Sequence, residues 1–434
     1  MATGHAIERV VVINDDSVPS GGAASIMLAS IRELRERNVP VTLITGDDGS
    51  DPGLARMGVD IVSLGGQNIL EGGRADAALR GLYSRKTARL IEAWIDANDT
   101  PGTVYHLHNW HKVLSSSAFV PLRRVAARLV LSAHDYFLAC PNGGYFNFPR
   151  GHTCELKPMS GACLASACDK RNYAHKLWRV ARHAVRQLAL DLSSTAATVL
   201  AVHEGMIPLL ERGGIDRRAI RVVRNPVMPW RSHRVTAEHN HLFMFVGRLE
   251  EDKGVALLAR AARRAGVPVR MVGTGPLAAA IKRGFPEIEL TGWKSKDEIA
   301  ELCREARALV MPSRWRETFG LVAIEAAMSG IPVIASRAAL ITDDLVRLGM
   351  GVDCAADDEI ALARAMNDLA ADNGAAARMS QRGFESARLL APTPRDWGNE
   401  LIAIYQGKLS VARKPAGNPA FALRGHRGDV AEPT

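Results

Sequence analysis

Residues 311–336, MPSRWRETFGLVAIEAAMSGIPVIAS, carry two glutamates, Glu317 and Glu325, at the ends of ETFGLVAIE. Leu321, Ile324 and Met328 recur at helical spacing, which puts Glu325 about two turns into a helix starting near Phe319, with Glu317 on the loop before it. Phe319, Gly320 and Leu321 would then offer free N–H groups at a helix start, where unpaired donors favour a phosphate. Glu325 lies in an otherwise apolar run, and a carboxylate there needs donors such as the diol of a sugar or ribose. Taken alone, the spacing fits two unrelated glutamates on a surface helix equally well.

The neighbourhood narrows the choice. Residues 241–266, HLFMFVGRLEEDKGVALLARAARRAG, read as a strand, a tight turn at Gly247 and a helix, with Arg248 and Lys253 bracketing the turn. The competing reading of these two cations is a solvated charge run with Glu250, Glu251 and Asp252. Further on come RMVGTGPL (270–277), IELTGW (288–293), a helix capped by Ser295 with Glu298 at its third position, and the strand ALVMP (308–312). Strands and helices that alternate in this way predict an α/β domain with a parallel sheet.

In order and content, FVGRLEEDKG, MVGTGPL, LTGW and the E-x(7)-E stretch resemble the C-terminal domain of family 4 retaining glycosyltransferases. The resemblance is strong over residues 241–336 and weaker elsewhere. It implies the GT-B fold, two Rossmann-like domains with parallel sheets facing across a cleft. It also implies that Arg248 and Lys253 hold a donor diphosphate, that Glu317 contacts the transferred sugar and that Glu325 binds the nucleotide ribose. The chemistry is coherent. Departure of a nucleoside diphosphate builds negative charge on the phosphates and positive charge on the sugar ring, so fixed cations suit the first and a carboxylate the second. With protein cations in that role, no divalent metal is required.

The N-terminal half is expected to supply the acceptor side. RVVVIND ends in Asn14-Asp15-Asp16 and is followed by PSGGAASIMLASIRELRERN, a glycine loop entering an amphipathic helix. Two adjacent glycines often mark only a turn; the resemblance implies that Gly21 and Gly22 touch donor phosphate or acceptor across the cleft. Strand candidates VTLIT, VDIVSL, TVYHLHN and RLVLSAHD follow, the last ending at His134 and Asp135, near the carboxyl edge where α/β sheets bind ligands. A lone histidine is often structural. The resemblance assigns His134 to the donor site. His106, His108, Asn109 and His111 form a second polar patch, either an acceptor-pocket lining or one solvated strand face.

Four of the six cysteines, Cys140, Cys154, Cys163 and Cys168, crowd an insertion at residues 136–172. Without a C-x-x-C pair, they are read as buried thiols or as the ligands of a structural zinc. Next, YAHKLWRVARHAVRQLAL has Tyr173, Leu177, Val180, Ala181, Ala184 and Leu188 on one side of a helical wheel and the cations Lys176, Arg179, Arg182 and Arg186 on the other. Both readings of this helix turn the cations outward, toward anionic lipid or toward solvent.

The chain of 434 residues, 47% hydrophobic and 23% charged, has an ordinary globular composition, and its net charge of +9 suits anionic partners. No apolar run approaches the ~20 residues that span a membrane. The expected location is cytoplasmic or peripheral on the inner face of the plasma membrane. Expected domains are residues 1–228, residues 229–390, a helix at 391–410 returning to the first domain, and a disordered tail at 411–434. One departure stands out, because relatives follow the PVIAS strand with G-G-x-x-E, whereas this chain has SRAALITDD with Ala338 and Ala339 in the glycine positions. The sequence speaks against a dehydrogenase, since Gly273-Thr274-Gly275 is followed by Pro276 and lacks the ribose-binding acid. A sugar-nucleotide epimerase or phosphorylase and a non-catalytic basic binding protein remain as alternatives; aromatics at 5% give no stacking stripe for nucleic acid. The sequence therefore predicts transfer of a sugar from a nucleoside-diphosphate donor to a hydroxyl of a lipid-linked or glycan acceptor.

Overall fold

Runs of Val, Ile and Leu without charge make strands buried on both faces, and such strands assemble with helices above and below them. The computed structural model describes residues 6–66 and 74–412. Its first sheet contains β1 (Arg9–Asn14), β2 (Val41–Thr45), β3 (Asp60–Ser63), β4 (Thr103–Leu107), β5 (Leu129–Ala133), β6 (Thr198–Ala201) and β7 (Ile220–Val222). They lie in the order β3-β2-β1-β4-β5-β6-β7. The second contains β8 (Leu242–Val246), β9 (Val269–Val272), β10 (Glu289–Gly292), β11 (Ala306–Met311), β12 (Val333–Ser336) and β13 (Gly351–Cys354), in the order β10-β9-β8-β11-β12-β13. All pairings in both sheets are parallel, so this is the two-sheet architecture expected.

The helices used below are α1 (Gly22–Glu36), α2 (Arg74–Leu82), α3 (Arg85–Asn98), α4 (Tyr173–Ala189), α5 (Val255–Ala265), α6 (Lys296–Leu302), α7 (Leu321–Met328) and α8 (Pro394–Ala412). Ser295 and Glu298 form the reciprocal capping box at the start of α6. Helix α8 brings Trp397, Leu401, Ile404, Tyr405 and Leu409 onto Val10, Val12, Val104 and Val130 of the first sheet. It runs through Ala412; the tail residues beyond it, 413–434, lie outside the described residues.

Helix α4 reverses the expectation drawn from its wheel. Its cation side faces inward: Lys176, Arg182 and Arg186 are buried, while Tyr173, Leu177 and Leu188 are exposed. Long cations can be buried where their donors find acceptors and their planes find rings. Arg182 Nη1 donates to the His111 carbonyl at 2.9 Å, and its guanidinium lies 5.4, 5.5 and 5.1 Å from the rings of Trp110, Phe137 and Trp178. Arg186 Nη2 donates to the Leu138 carbonyl at 2.9 Å. Arg179 pairs with the buried Asp169 carboxylate at 2.9 Å and donates to the Asn142 carbonyl at 3.0 Å.

The zinc expectation is corrected as well. Among the described residues no trio of His, Cys, Asp or Glu could hold a metal ion. A cation is already in place. Lys176 Nζ donates to Cys163 Sγ at 3.4 Å, and Asn142 lies between Cys140 and Cys168, accepting from Cys140 Sγ at 3.2 Å and donating to Cys168 Sγ at 3.3 Å. Burial disfavours the Lys176 charge, but Cys168 and Cys163 outweigh it and hold the ammonium above its ordinary range. The cysteines are a lysine-centred thiol cluster that shapes the insertion, and the insertion reaches the second sheet's loops. Glu155 pairs with Arg212 at 2.7 Å and also with Arg316, and Lys170 meets Glu250 at 3.0 Å and Asp252 at 3.5 Å.

Candidate active site

The loop between β11 and α7 and the turn between β8 and α5 are built to meet. Gly254 has φ 72° and ψ 20°, and a Cβ there would stand 2.0 Å from the Pro312 carbonyl oxygen, so only glycine lets the turn pack this close. Arg314 N–H donates to the Asp252 carbonyl at 2.9 Å and fixes the second point of contact. Lys253 consequently reaches Glu317, with Nζ 2.5 Å from Oε2. Ser313 Oγ and Trp315 Nε1 each donate to the same Oε2 at 3.2 Å, and the Lys253 ammonium lies 5.3 Å from the Trp315 ring centre. Three donors thus converge on one carboxylate oxygen and fix the carboxylate in a single orientation.

Arg248 does not join this pair. Its guanidinium is 63% exposed and donates to Glu250 Oε1 at 2.8 Å. Helix α7 begins at Leu321, two residues later than expected, because Gly320 takes φ 73° and ψ 51°, a left-handed conformation that cannot continue a right-handed helix. Just past it, the Leu321 side chain meets the N-terminal half. A Cβ on Gly22 would sit 3.3 Å from Leu321 Cδ1, whereas one on Gly21 would meet nothing within 4 Å. The alanine-bearing loop after β12 is closed on itself. Ala338 N–H donates to Ser336 Oγ, Ala339 N–H to the Ser336 carbonyl and Leu340 N–H to the Glu317 carbonyl, at 3.1, 3.0 and 3.1 Å. Those three amides are engaged within the protein.

Glu325 projects from α7 with its side chain 14% exposed, 3.7 Å from Lys296. Burial raises its pKa, opposed by the Lys296 charge and a hydrogen bond to the Trp230 side chain. Facing these groups, the His134 carbonyl accepts from Thr318 Oγ1 at 2.9 Å, tying β5 to the Glu317 loop. The His134 ring is held by His108, Nε2 to Nδ1 at 3.0 Å, and His108 packs at a tilt against His106 with ring centres 4.0 Å apart. His106 bonds Tyr405 on α8 through Nδ1 at 2.7 Å and Ser132 through Nε2 at 2.8 Å. His106, His108 and Asn109 are buried, so the patch is neither a solvated strand face nor an open pocket lining; it is an interior chain of rings running from α8 to His134. Burial drives these imidazoles toward the neutral form, with His106 near 3 and His134 near 4. Beside them burial lifts Asp135 to about 6, and Asp15 accepts from the amides of Lys112, Val113 and Leu114 at 2.8, 2.9 and 2.9 Å.

Residues 230–386 match the family described as glycosyl transferases group 1, and residues 21–226 match the glycosyl transferase 4-like domain. The chain is a family 4 glycosyltransferase. It is 28% identical over 301 residues to glycogen synthase of Mycobacterium tuberculosis, covering 65% of this chain and 69% of that one. Among solved structures, sucrose-phosphate synthase of Thermosynechococcus elongatus superposes with a TM-score of 0.69 at 16% identity, covering 93% and 99% of the two chains. HepE of Anabaena in complex with UDP-glucose gives 0.62 at 16% identity, covering 92% and 99%.

Within this glycosyltransferase, sequence reasoning overlooked Ser313, Trp315 and Thr318. All three lie in the quoted loop, and the signal available was their proximity: a carboxylate flanked by donors within four residues on either side tends to find them. Lys170 had no such signal, because its partners Glu250 and Asp252 are some eighty positions away.

Proposed function

We propose that this glycosyltransferase is a retaining enzyme that moves a sugar from a nucleoside-diphosphate donor to a hydroxyl of a lipid-linked or glycan acceptor in polysaccharide synthesis. The observation that carries the reading is the Lys253–Glu317 pair, 2.5 Å apart, beside the N-terminus of α7 with Gly22 across from it. Lys253 and the α7 amides offset charge growing on the departing diphosphate, and Arg248 swings in from solvent to join them. Glu317 Oε2 is occupied by protein donors, which leaves Oε1 for the sugar, where it steadies the electron-poor ring. His134, neutral and anchored by His108, donates or accepts a hydrogen bond on the donor from the opposite wall. Glu325 takes the ribose diol, whose hydroxyls satisfy a carboxylate that burial otherwise disfavours. Attack comes from the face the leaving group vacates, with the leaving phosphate taking the acceptor proton and no covalent enzyme intermediate.

The protein supplies the positive charge, so turnover is expected to survive EDTA. The enzyme is proposed to work in the cytoplasm, at the inner face of the membrane; among the described residues no helix is long and apolar enough to cross one. That HepE was solved with UDP-glucose makes UDP-sugars the first donors to try. Melting curves measured against UDP-, GDP- and ADP-sugars test the donor class, since a ligand bound only by the folded state raises Tm by mass action. A Tm unmoved by every donor, together with absence of donor hydrolysis or transfer, would reject the reading.

A further inference from the structure

The inversion of α4 leaves an apolar seam on the outside of the molecule. Tyr173, Leu177, Ala181, Ala184 and Leu188 recur every three or four residues, the spacing of one helix face, and span about 22 Å of it. Leu188 is 82% exposed. Side chains of this kind are normally the ones a helix buries, and here the opposite side took that place. Helix α2 lies against α4, with Trp178 Nε1 donating to the Ala78 carbonyl at 2.8 Å, and it extends the surface with Leu79, 69% exposed, and the exposed Tyr83. Four residues apart, Leu79 and Tyr83 share a face as well.

Cations predominate along this surface, although the exposed Asp191 lies three positions beyond Leu188. No acidic residue occurs between Asp76 and Glu92 or between Lys170 and Leu190. Arg85 and Arg89 at the start of α3 are exposed, as is Arg171 just before α4. Two apolar helix faces with exposed arginines close by in the chain complement a negatively charged sheet of lipid headgroups over an acyl layer.

We propose that the outer face of α4, with the end of α2, is a docking surface for an anionic lipid bilayer, contacted through Leu79, Tyr83, Leu177 and Leu188 and held by Arg85, Arg89 and Arg171. The sequence wheel suggested lipid contact through Lys176, Arg179, Arg182 and Arg186. The structure commits those cations to the interior, so the contact is apolar at its centre and cationic at its border. None of these residues is among those proposed to hold the donor, so the proposal stands or falls independently of the donor chemistry.

Flotation of the full chain with phosphatidylcholine vesicles, with and without phosphatidylglycerol, tests it. The wild-type chain should bind phosphatidylglycerol vesicles and lose binding as salt rises. Leu177→Glu with Leu188→Glu should lower the bound fraction at least ~tenfold. Arg85→Glu with Arg89→Glu should abolish the preference for phosphatidylglycerol. Melting temperature and its increase with donor nucleotide should be unchanged in both variants, which separates lost docking from misfolding or a damaged donor site. Equal wild-type flotation with both vesicles, or undiminished flotation of the leucine variant, overturns the proposal. So does a lipid-free dimer that the leucine variant turns into a monomer, since the seam would then be a contact between copies of the chain.

Discussion

The Glu317 loop and helix α4 announce themselves in the sequence with comparable strength, one by ordered motifs and one by a clean amphipathic wheel, yet only the loop lies as its sequence suggests. The loop's chemistry is local. Ser313, Trp315 and Glu317 stand within five positions, and Gly320 sets the helix start by a conformation that other residues rarely adopt. In α4 the wheel divides two faces correctly and says nothing about which is inside. That is decided by groups elsewhere in the chain: carbonyls of His111, Leu138 and Asn142, the carboxylate of Asp169, and the rings of Trp110 and Phe137. Amphipathicity predicts sides. The acceptors a long cation can reach decide direction.

The largest effect belongs to the loop. Replacing Glu317 by Gln keeps the hydrogen-bonding shape and removes the charge, so kcat should fall about 10²–10³-fold, the cost of deleting one preorganised electrostatic contact, or roughly 3–4 kcal/mol. Steady-state transfer assays with a bound donor, alongside an unchanged far-UV spectrum, measure it. A kcat within threefold of wild type would mean that Oε1 does not face the reacting sugar.

The matching test of α4 is Arg182→Ala. Were the cations outward, as the wheel suggested, the change would be nearly neutral, within about 0.5 kcal/mol. Buried against three rings with a charge-assisted bond to the His111 carbonyl, Arg182 should instead cost about 3 kcal/mol when truncated, read as a lower midpoint in urea. Burial draws the guanidinium down to about 10, still charged at neutral pH, so the loss includes that bond as well as packing.

This pair of tests also marks how much was legible. Both parallel sheets follow from Val- and Ile-rich runs bounded by glycine turns, because a strand buried on both faces needs nothing but apolar residues. The meeting of Lys253 with Glu317 spans 64 positions. It was legible only through motif order, since the contact itself depends on Gly254 packing under Pro312. The histidine chain was not legible. His106 and His108 stand two positions apart at the end of β4, as solvated residues would, and His106 is met from inside by Tyr405, some three hundred positions away on α8. The zinc reading failed for a related reason, since Lys176, the cation beside Cys163, lies outside the cysteine spacing that suggested a metal.

Buried histidines give the interior chain a pH signature. In the unfolded chain an imidazole binds its proton near pH 6.5, whereas folded His106 does so only near 3 and His134 near 4. Between these limits the unfolded state holds more protons, so stability is complete above about 6.5 and is lost as pH falls, by at most about 1.4 kcal/mol per pH unit for each histidine. Asp135 acts in the opposite sense: its folded pKa of about 6 lies above the unfolded value of 3.8, so its burial costs least below that window. His106→Gln should flatten the acid limb of a stability profile between pH 6.5 and 4. An unaltered slope would mean that His106 gains no proton on unfolding and is not the buried neutral ring described above.

The smallest effect is the most telling about α4. Leu188 packs against little, and at 82% exposure its replacement by Gln removes almost no buried apolar surface. Stability should therefore change by less than about 0.5 kcal/mol, in contrast to the arginine six positions earlier. A leucine that can be made polar for nothing, on a helix whose arginine cannot be truncated, is the reverse of an ordinary surface helix. Should Leu188→Gln instead cost ~2 kcal/mol in urea titrations, the seam would already be covered in the free protein, and the direction assigned to α4 would have to be turned back.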